Sequence, residues 1–183
     1  MLKLGVFLWT TKILKFCFHK KKIEKRIKIL AQEIDEKYGD QPLTFICVLK
    51  GAVVFYVKLL EYLKNKNVEL DFVQVKSYEG TETTGQVKFV KDTSLDLENK
   101  IVILVEDIID TGITAKFLYE HFLTKKPKDL LMCSLLQKPD KLQVDLKLPT
   151  LIGFNIPNKF IIGFGLDLDE RYRNLNDILV LKD

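Results

Sequence analysis

The chain is poor in the residues that break or cross-link folds: 183 positions hold 9 glycines, 5 prolines and 3 cysteines. With so little Gly and Pro, and no low-complexity run or internal repeat, neither disorder nor a solenoid is expected. Cys17, Cys47 and Cys133 are odd in number and unrelated in spacing, which excludes a metal-ligand pattern. All three lie in apolar surroundings, so buried, reduced thiols and a cytoplasmic location are expected. No apolar run approaches the roughly 18 residues of a membrane span. Met1–Phe18 is rather apolar, but Lys12 and Lys15 interrupt it and no small-residue cleavage site follows, so neither a signal peptide nor an anchor is expected. Charge of one sign is not in great excess either. A net charge of +4 suits an anionic small molecule and does not by itself argue for nucleic acid. A P-loop is excluded too, since G-x-x-x-x-G-K-[ST] occurs nowhere.

What is present is apolar residues in organised runs. A hydrophobic content of 47% in this length suits one compact domain with a small appendage. The chain is organised around Ile101–Ala115. Ile101–Val105 is an unbroken apolar run, the pattern of a parallel strand buried on both faces. Glu106, Asp107 and Asp110 follow at once, and then Thr111-Gly112-Ile113-Thr114 opens a helical run. In open α/β sheets ligands sit beyond the carboxyl ends of the strands. Gly112 permits close backbone approach, and the free amides of a helix start attract anions. Carboxylates beside such a loop suit a hard cation or hydroxyl groups, so the stretch predicts a phosphate plus a divalent metal.

The rest of the chain supports an α/β sheet. Lys12–Phe18 reads as a strand, and Met1–Thr11 as a segment without an assignment. Ile23, Ile27, Leu30 and Ile34 give His19–Tyr38 one apolar helix face. Lys20, Lys21, Lys22, Lys25, Arg26 and Lys28 around it read as a solvated basic face. Leu43–Leu49 is a second buried strand. It runs into Lys50-Gly51, another strand-end turn suited to a phosphate, before a helix over 52–63. Strands are expected over 70–77 and 86–90, with Tyr78–Gly85 between them as a lid. A helix over 115–124 and a strand over 128–136 complete the alternation, which implies right-handed crossovers and a parallel sheet. The polar stretch 137–149 and strand-like pieces at 151–154 and 160–165 read as a cap. Asp167, Asp169, Glu170, Arg171 and Arg173 form a charged turn before a last strand over 178–182.

These residues carry a resemblance. Val102–Thr114 resembles the phosphoribosyl diphosphate (PRPP) motif of type I phosphoribosyltransferases: apolar strand, two acids, two apolar residues, then Asp-Thr-Gly-x-Thr. Val48-Leu49-Lys50-Gly51, Ser77-Tyr78, Lys138-Pro139, and Gly163-x-Gly165-Leu166-Asp167 through Glu170-x-Tyr172-Arg173-Asn174-Leu175 are similar, in order and spacing, to hypoxanthine-guanine phosphoribosyltransferases. The resemblance implies one domain over 1–183, with a core of about 39–136 plus 166–183 and a hood from 12–18 and 137–165. It implies Mg2+-dependent transfer of 5-phosphoribosyl from PRPP to a 6-oxopurine, by a homodimer or homotetramer with no nucleic-acid or membrane partner.

Roles follow by similarity. Glu106 and Asp107 would face the ribose hydroxyls with magnesium nearby, and Asp110, Thr111, Gly112, Ile113 and Thr114 would wrap the 5′-phosphate. Asp110 matches the general base toward purine N7. Lys50, Gly51 and Arg173 match the diphosphate site, with a cis bond before Lys50. Asp167, grouped with the purine-binding residues, would hold the other magnesium through water, Lys138 would donate to purine O6, Phe160 would stack on the base, and Ile161 would supply backbone hydrogen bonds. Ser77 and Tyr78 match the closing lid. Two positions depart from the pattern: Leu168, where an aromatic is common, and His19, where a helix-capping hydroxyl or acid is usual. A regulator of the same fold and a xanthine-preferring enzyme remain open. A phosphatase with Asp107 as nucleophile fits poorly, because it requires Asp-x-Asp and the chain has Asp107-x-x-Asp110.

Overall fold

The computed structural model describes residues 13–78 and 86–181. In chain order its elements are β1 (Ile13–Phe18), α1 (Lys20–Tyr38), β2 (Leu43–Leu49), α2 (Val53–Tyr62), β3 (Val68–Tyr78), β4 (Gln86–Lys91), β5 (Ile101–Ile109), α3 (Ile113–Leu123), β6 (Asp129–Gln137), a 3-10 turn (Pro139–Lys141), β7 (Thr150–Asn155), β8 (Ile161–Ile162) and β9 (Ile178–Leu181). The apolar runs of β2, β5 and β6 are buried because their side chains feed two layers in alternation. Phe45, Cys47, Ile103, Val105, Leu131 and Cys133 pack with α1 and α2, where Ile23, Ile27, Leu30 and Ile34 are buried as their spacing predicts. Ile46, Val48, Val102, Leu104, Leu130 and Met132 pack against Ala115, Leu118 and Phe122 of α3. A period of two, with both faces covered by helices, leaves no solvent side for polar residues.

The six-stranded sheet has the order β4-β3-β2-β5-β6-β7. All neighbours are parallel except β4, which returns antiparallel along β3. From β2 the chain moves to β3 on one side, and from β5 it moves to β6 and β7 on the other. The order therefore reverses between β2 and β5, and their carboxyl ends frame a crevice where an α/β sheet binds ligands. A small antiparallel sheet, β1-β9-β8, stands apart from the central one.

Pairing corrects the expected core and hood. Residues 151–154, expected in the cap, belong to β7, which runs parallel to β6 from Met132↔Thr150 to Gln137↔Asn155 and closes the central sheet. Gly153 has no Cβ where the Leu135 carbonyl approaches, and Arg26 donates to the carbonyls of Ile152 (2.6 Å) and Gly153 (2.9 Å) along this edge. One residue of the basic face is thus structural rather than solvated. Residues 178–181, expected in the core, instead pair with β1 and β8. The central strand also outruns its apolar stretch: the β5–β6 ladder continues through Glu106↔Ser134 to Ile109↔Gln137. At α1, Asp177 Oδ1 accepts from the Lys20 amide at 2.7 Å, so an acid distant in sequence serves where His19 stands. Leu168 lies in a short bridge with Arg171.

One buried acid fixes the outer hairpin to the sheet. Asp71 on β3 accepts from the Phe72 amide (2.7 Å), the Thr93 hydroxyl (2.7 Å) and the Ser94 amide (2.8 Å), and pairs with Lys91 at 3.1 Å. Burial alone would raise its pKa, but these donors outweigh burial and hold the carboxyl well below the usual range. Asp71→Ala should cost about 2 kcal/mol by stranding several donors, a fall in Tm of about 4–8 °C for a chain of this size. A depressed folded pKa stabilises fully above the unfolded aspartate value of about 4, and that stability is lost progressively as pH falls from there through the lower folded value. Calorimetry across pH should therefore show the gap between parent and variant closing below about pH 4.

Candidate active site

Three backbone segments meet at the crevice with no room for side chains between them. The Leu49-Lys50 peptide at the end of β2 is cis, and Gly51 follows. A Cβ on Gly51 would overlap the Asp107 carboxylate, and one on Gly165 would overlap the Gly51 carbonyl. Gly165 also has φ of +100°, a conformation that other residues rarely adopt. The turn after β2, the end of β5 and the Gly163–Gly165 turn are therefore locked in contact.

At the end of β5 two adjacent carboxyls are half-buried. Burial, then the charge of Asp107, pushes the Glu106 pKa well above the ordinary carboxylate value. Asp107 is pushed up to about 6 by burial, an effect moderated by the Ile108 amide at 2.8 Å and by the charge of Arg173. Glu106 Oε2 is buried without a hydrogen-bond partner. An orphaned acceptor beside a second acid fits hydroxyl groups or a hard cation. No three His, Cys, Asp or Glu side chains converge on one point among the described residues. A cation here would complete its shell with substrate oxygens and water, as Mg2+ commonly does. Cys47 lies beneath the pair, and burial followed by the charges of Glu106 and Asp107 pushes its thiol up to about 12, which excludes a thiolate nucleophile.

Asp110 stands between two lysines. Lys138, only 6% exposed, places its ammonium 3.2 Å from Oδ1, and Lys141 Nζ donates to Oδ2 at 2.7 Å. The main chain fixes this arrangement: the Lys138 amide donates to the Ile109 carbonyl (3.0 Å) and the Gln143 amide to the Thr111 carbonyl (2.9 Å). Leu142, Val144 and Leu146 close over Gly112, whose φ of +83° turns the chain into α3. Thr111 Oγ1 accepts from the Ile113 amide at 3.4 Å, and Ile113 and Thr114 lie in the first turn, where helix amides face an anion.

A second ionic network holds the other side. Glu170 accepts from Lys50 Nζ at 2.9 Å and pairs with Arg173 at 3.2 Å, while Arg173 also pairs with Asp167 at 3.0 Å. Arg173 donates to the Gly165 carbonyl and Asp167 accepts from the Glu170 amide, each at 2.9 Å. Lys50, Gly51, Asp107, Gly165, Asp167 and Arg173 thus form one contiguous site, and Asp110, on the loop that leaves β5, makes a second pair with Lys138, just past the end of β6. Phe160 is 53% exposed beside the buried Ile161, and its carbonyl accepts from Leu181 on the small sheet. Ser77 and Tyr78 end β3; residues 79–85, the rest of the expected lid, lie outside the described residues, as do 1–12. Sequence reading singled out neither Lys141 nor the bridging role of Glu170; the only signal was charge in a loop.

An acidic strand end running into Asp-Thr-Gly-x-Thr at a helix start, faced by a Lys-Gly turn across the reversal of strand order, defines a type I phosphoribosyltransferase. Residues 18–169 match the phosphoribosyl transferase domain family. Among curated proteins, a hypoxanthine-guanine phosphoribosyltransferase of Aquifex aeolicus is 39% identical over 174 residues, 94% of this chain and 97% of that protein. The crystal structure of a hypoxanthine-guanine phosphoribosyltransferase from Bacillus anthracis, with a HEPES molecule in its active site, aligns at a TM-score of 0.86 with 41% identity, covering 94% of this chain and 99% of the other. A hypoxanthine phosphoribosyltransferase from Trypanosoma cruzi, in complex with the product IMP, aligns at 0.83 with 37% identity, covering 94% of each chain. The chain belongs to the hypoxanthine-guanine phosphoribosyltransferases.

The glycine contacts yield a test. Gly51→Ala must move either the Asp107 carboxylate or the turn that carries Lys50. Displacements of about 1 Å in positioning groups cost on the order of a hundredfold in rate. Steady-state kinetics should show kcat/KM for PRPP falling by about that factor, with a Tm close to that of the parent.

Proposed function

We propose that the chain transfers the 5-phosphoribosyl group of PRPP to N9 of hypoxanthine, and of guanine, releasing diphosphate in cytoplasmic purine salvage. The observation that carries this reading is the Lys138–Asp110 pair, an ammonium and a carboxylate 3.2 Å apart beside the loop that opens α3. O6 and N7 of a 6-oxopurine are neighbours on one edge of the ring. A donor for O6 beside an acceptor for N7–H is the complement of that edge. Adenine presents a donor at position 6 and would oppose the ammonium.

The remaining roles follow from chemistry. The amides at the start of α3, with the Thr111 and Thr114 hydroxyls, hold the 5′-phosphate. Glu106 and Asp107 accept from the ribose hydroxyls, and the gain is large at Glu106, whose Oε2 is buried without a partner. Lys50 and Arg173 take the diphosphate, exchanging Glu170 for a more highly charged anion. As the C1′–oxygen bond lengthens, positive charge grows on the ribose and negative charge on the departing diphosphate. Asp110 meets the same step at the base by accepting the N7 proton's hydrogen bond as N9 attacks. Magnesium, held by Glu106 and Asp107 with Asp167 on the diphosphate side, would supply charge neutralisation of the leaving group. Phe160 offers an open face for the purine, Ile161 its backbone groups, and Ser77 and Tyr78 begin the lid.

One domain carries the whole reaction, the small sheet serving as hood. No described helix is long and apolar enough to cross a membrane. Leu70 and Phe72, 48% and 36% exposed on one face of β3, with Phe72 against Tyr56 of α2, offer an apolar surface for a second copy of the chain.

The deciding experiment incubates the protein with PRPP and Mg2+ and each of hypoxanthine, guanine, xanthine and adenine, separately and in competition. IMP and GMP should form, adenine should be inert, and EDTA should stop turnover. Tight PRPP binding with no product from any base would leave only a ligand-binding regulator. Lys138→Ala should lower kcat/KM for hypoxanthine by about a hundredfold or more, since a buried donor to the substrate is lost, while PRPP affinity changes little. Equal loss of both would remove Lys138 from the base site.

A further inference from the structure

The transfer reaction makes no direct demand on Lys141, yet its ammonium lies 2.7 Å from Asp110 Oδ2 in an aligned hydrogen bond. The two oxygens of Asp110 are not equivalent. Oδ2 is gripped by Lys141. Oδ1 is buried without an aligned hydrogen bond, with Lys138 nearby at 3.2 Å. The placement of Lys141 is also not that of a free surface lysine. It ends the single 3-10 turn Pro139–Lys141, whose amide donates back to the Lys138 carbonyl at 3.1 Å. Main-chain bonds join both flanks of that turn to the loop holding Asp110: Lys138 to Ile109 at 3.0 Å and Gln143 to Thr111 at 2.9 Å. Lys141 and Asp110 are therefore held in register by backbone.

We infer that Lys141 is a positioning residue, which fixes the Asp110 carboxylate by Oδ2 so that Oδ1 stays directed at purine N7 when Lys138 turns its ammonium to O6. The inference rests on Asp110 being the group that meets N7. The χ2 torsion of aspartate is broad, so a carboxylate with one contact samples many orientations. In the resting site Lys138 and Lys141 together hold it. Once a 6-oxopurine draws on the Lys138 ammonium, Lys141 is the cation that remains wholly with Asp110, keeping it both oriented and charge-balanced. Its contribution thus appears when base and carboxylate must be aligned, and not when PRPP binds.

The test is a double-mutant cycle between Lys141→Met and Asp110→Asn, with Lys141→Arg as rescue and Lys141→Gln as a second removal of the charge. Lys141→Met keeps the stem and loses the ammonium. It should lower kcat with hypoxanthine about tenfold, a part of the general-base contribution, and leave KM for PRPP within about twofold. Lys141→Arg should restore most of kcat, because a guanidinium also donates to Oδ2. In the Asp110→Asn background, Lys141→Met should cost nothing further. Turnover of Lys141→Met and Lys141→Gln within about twofold of the parent, beside an impaired Asp110→Asn, would overturn the inference. So would losses that multiply in the double variant, or a rise in both KM values with kcat unchanged. Full turnover by Asp110→Asn would overturn the base assignment itself, a failure told apart because it does not involve Lys141.

Discussion

Two neighbouring carboxyls, Glu106 and Asp107, are half-buried at the end of the central strand, and the rest of the site exists because of them. Burying one acid without a counter-charge is costly, and burying two side by side adds repulsion. The structure leaves that cost partly unrelieved: the Glu106 pKa lies well above normal and Asp107 near 6. What relief there is comes from elements brought in from elsewhere. Arg173 reaches across from the C-terminal turn, the Ile108 amide bonds Asp107, and Gly51 presents bare backbone so that nothing intrudes on the carboxylate. The reversal of strand order between β2 and β5 makes such convergence possible, since strand ends from both halves of the sheet open on one crevice. A ligand bringing hydroxyls and a divalent cation resolves a strain that the fold leaves standing.

The cations of the site are held in the opposite way, each paired with an acid. Lys50 and Arg173 share Glu170, and Asp110 has two ammonium groups. Lys50 and Glu170 are 54% and 64% exposed, and pairs so exposed contribute roughly 0–1 kcal/mol. A diphosphate bound as proposed would therefore displace Glu170 at little cost, and the cations never stand uncompensated against each other in the ligand-free protein. Arg173 is different, at 24% exposed and bonded to the Gly165 carbonyl. It is fixed in place to serve Asp107 and Asp167 at once.

The parts of this architecture written locally were legible in the sequence, and those set by distant partners were not. Ile101–Val105 and Leu43–Leu49 read as buried strands because helices cover both of their faces, which demands unbroken apolar sequence. Glu106 to Thr114 read as a strand end opening into a helix because acids, glycine and hydroxyls follow a buried apolar run directly, and β5 does end and α3 begin there. Strand membership was another matter. Residues 150–155 and 178–181 have similar short apolar patterns, and only pairing over long separations sends one to the central sheet and the other to the hood. Lys141 and Glu170 looked like ordinary loop charges, because their partners lie 31 and 120 positions away. Asp177 serves the first helix from 157 positions off, where the local sequence offers only His19. The cis Leu49-Lys50 peptide followed from resemblance alone, as nothing in composition encodes it.

Discrimination at the purine follows from which parts of the site can yield. Lys138 is almost fully buried, and its own amide is bonded to the Ile109 carbonyl at 3.0 Å. Its ammonium is already committed to the Asp110 edge, so it cannot retreat from an incoming group without breaking a pair. In the proposed base site a 6-oxo group would accept from it and add a bond. A 6-amino group would set donor against donor in a nearly dry position, leaving polar hydrogens unpaired on both sides. Each such group costs about 1–3 kcal/mol, and sites built around a required hydrogen bond reject analogues lacking it by several orders of magnitude. Selection of oxo- over aminopurines in the proposed base site would therefore be anchored in one nearly buried side chain, Lys138.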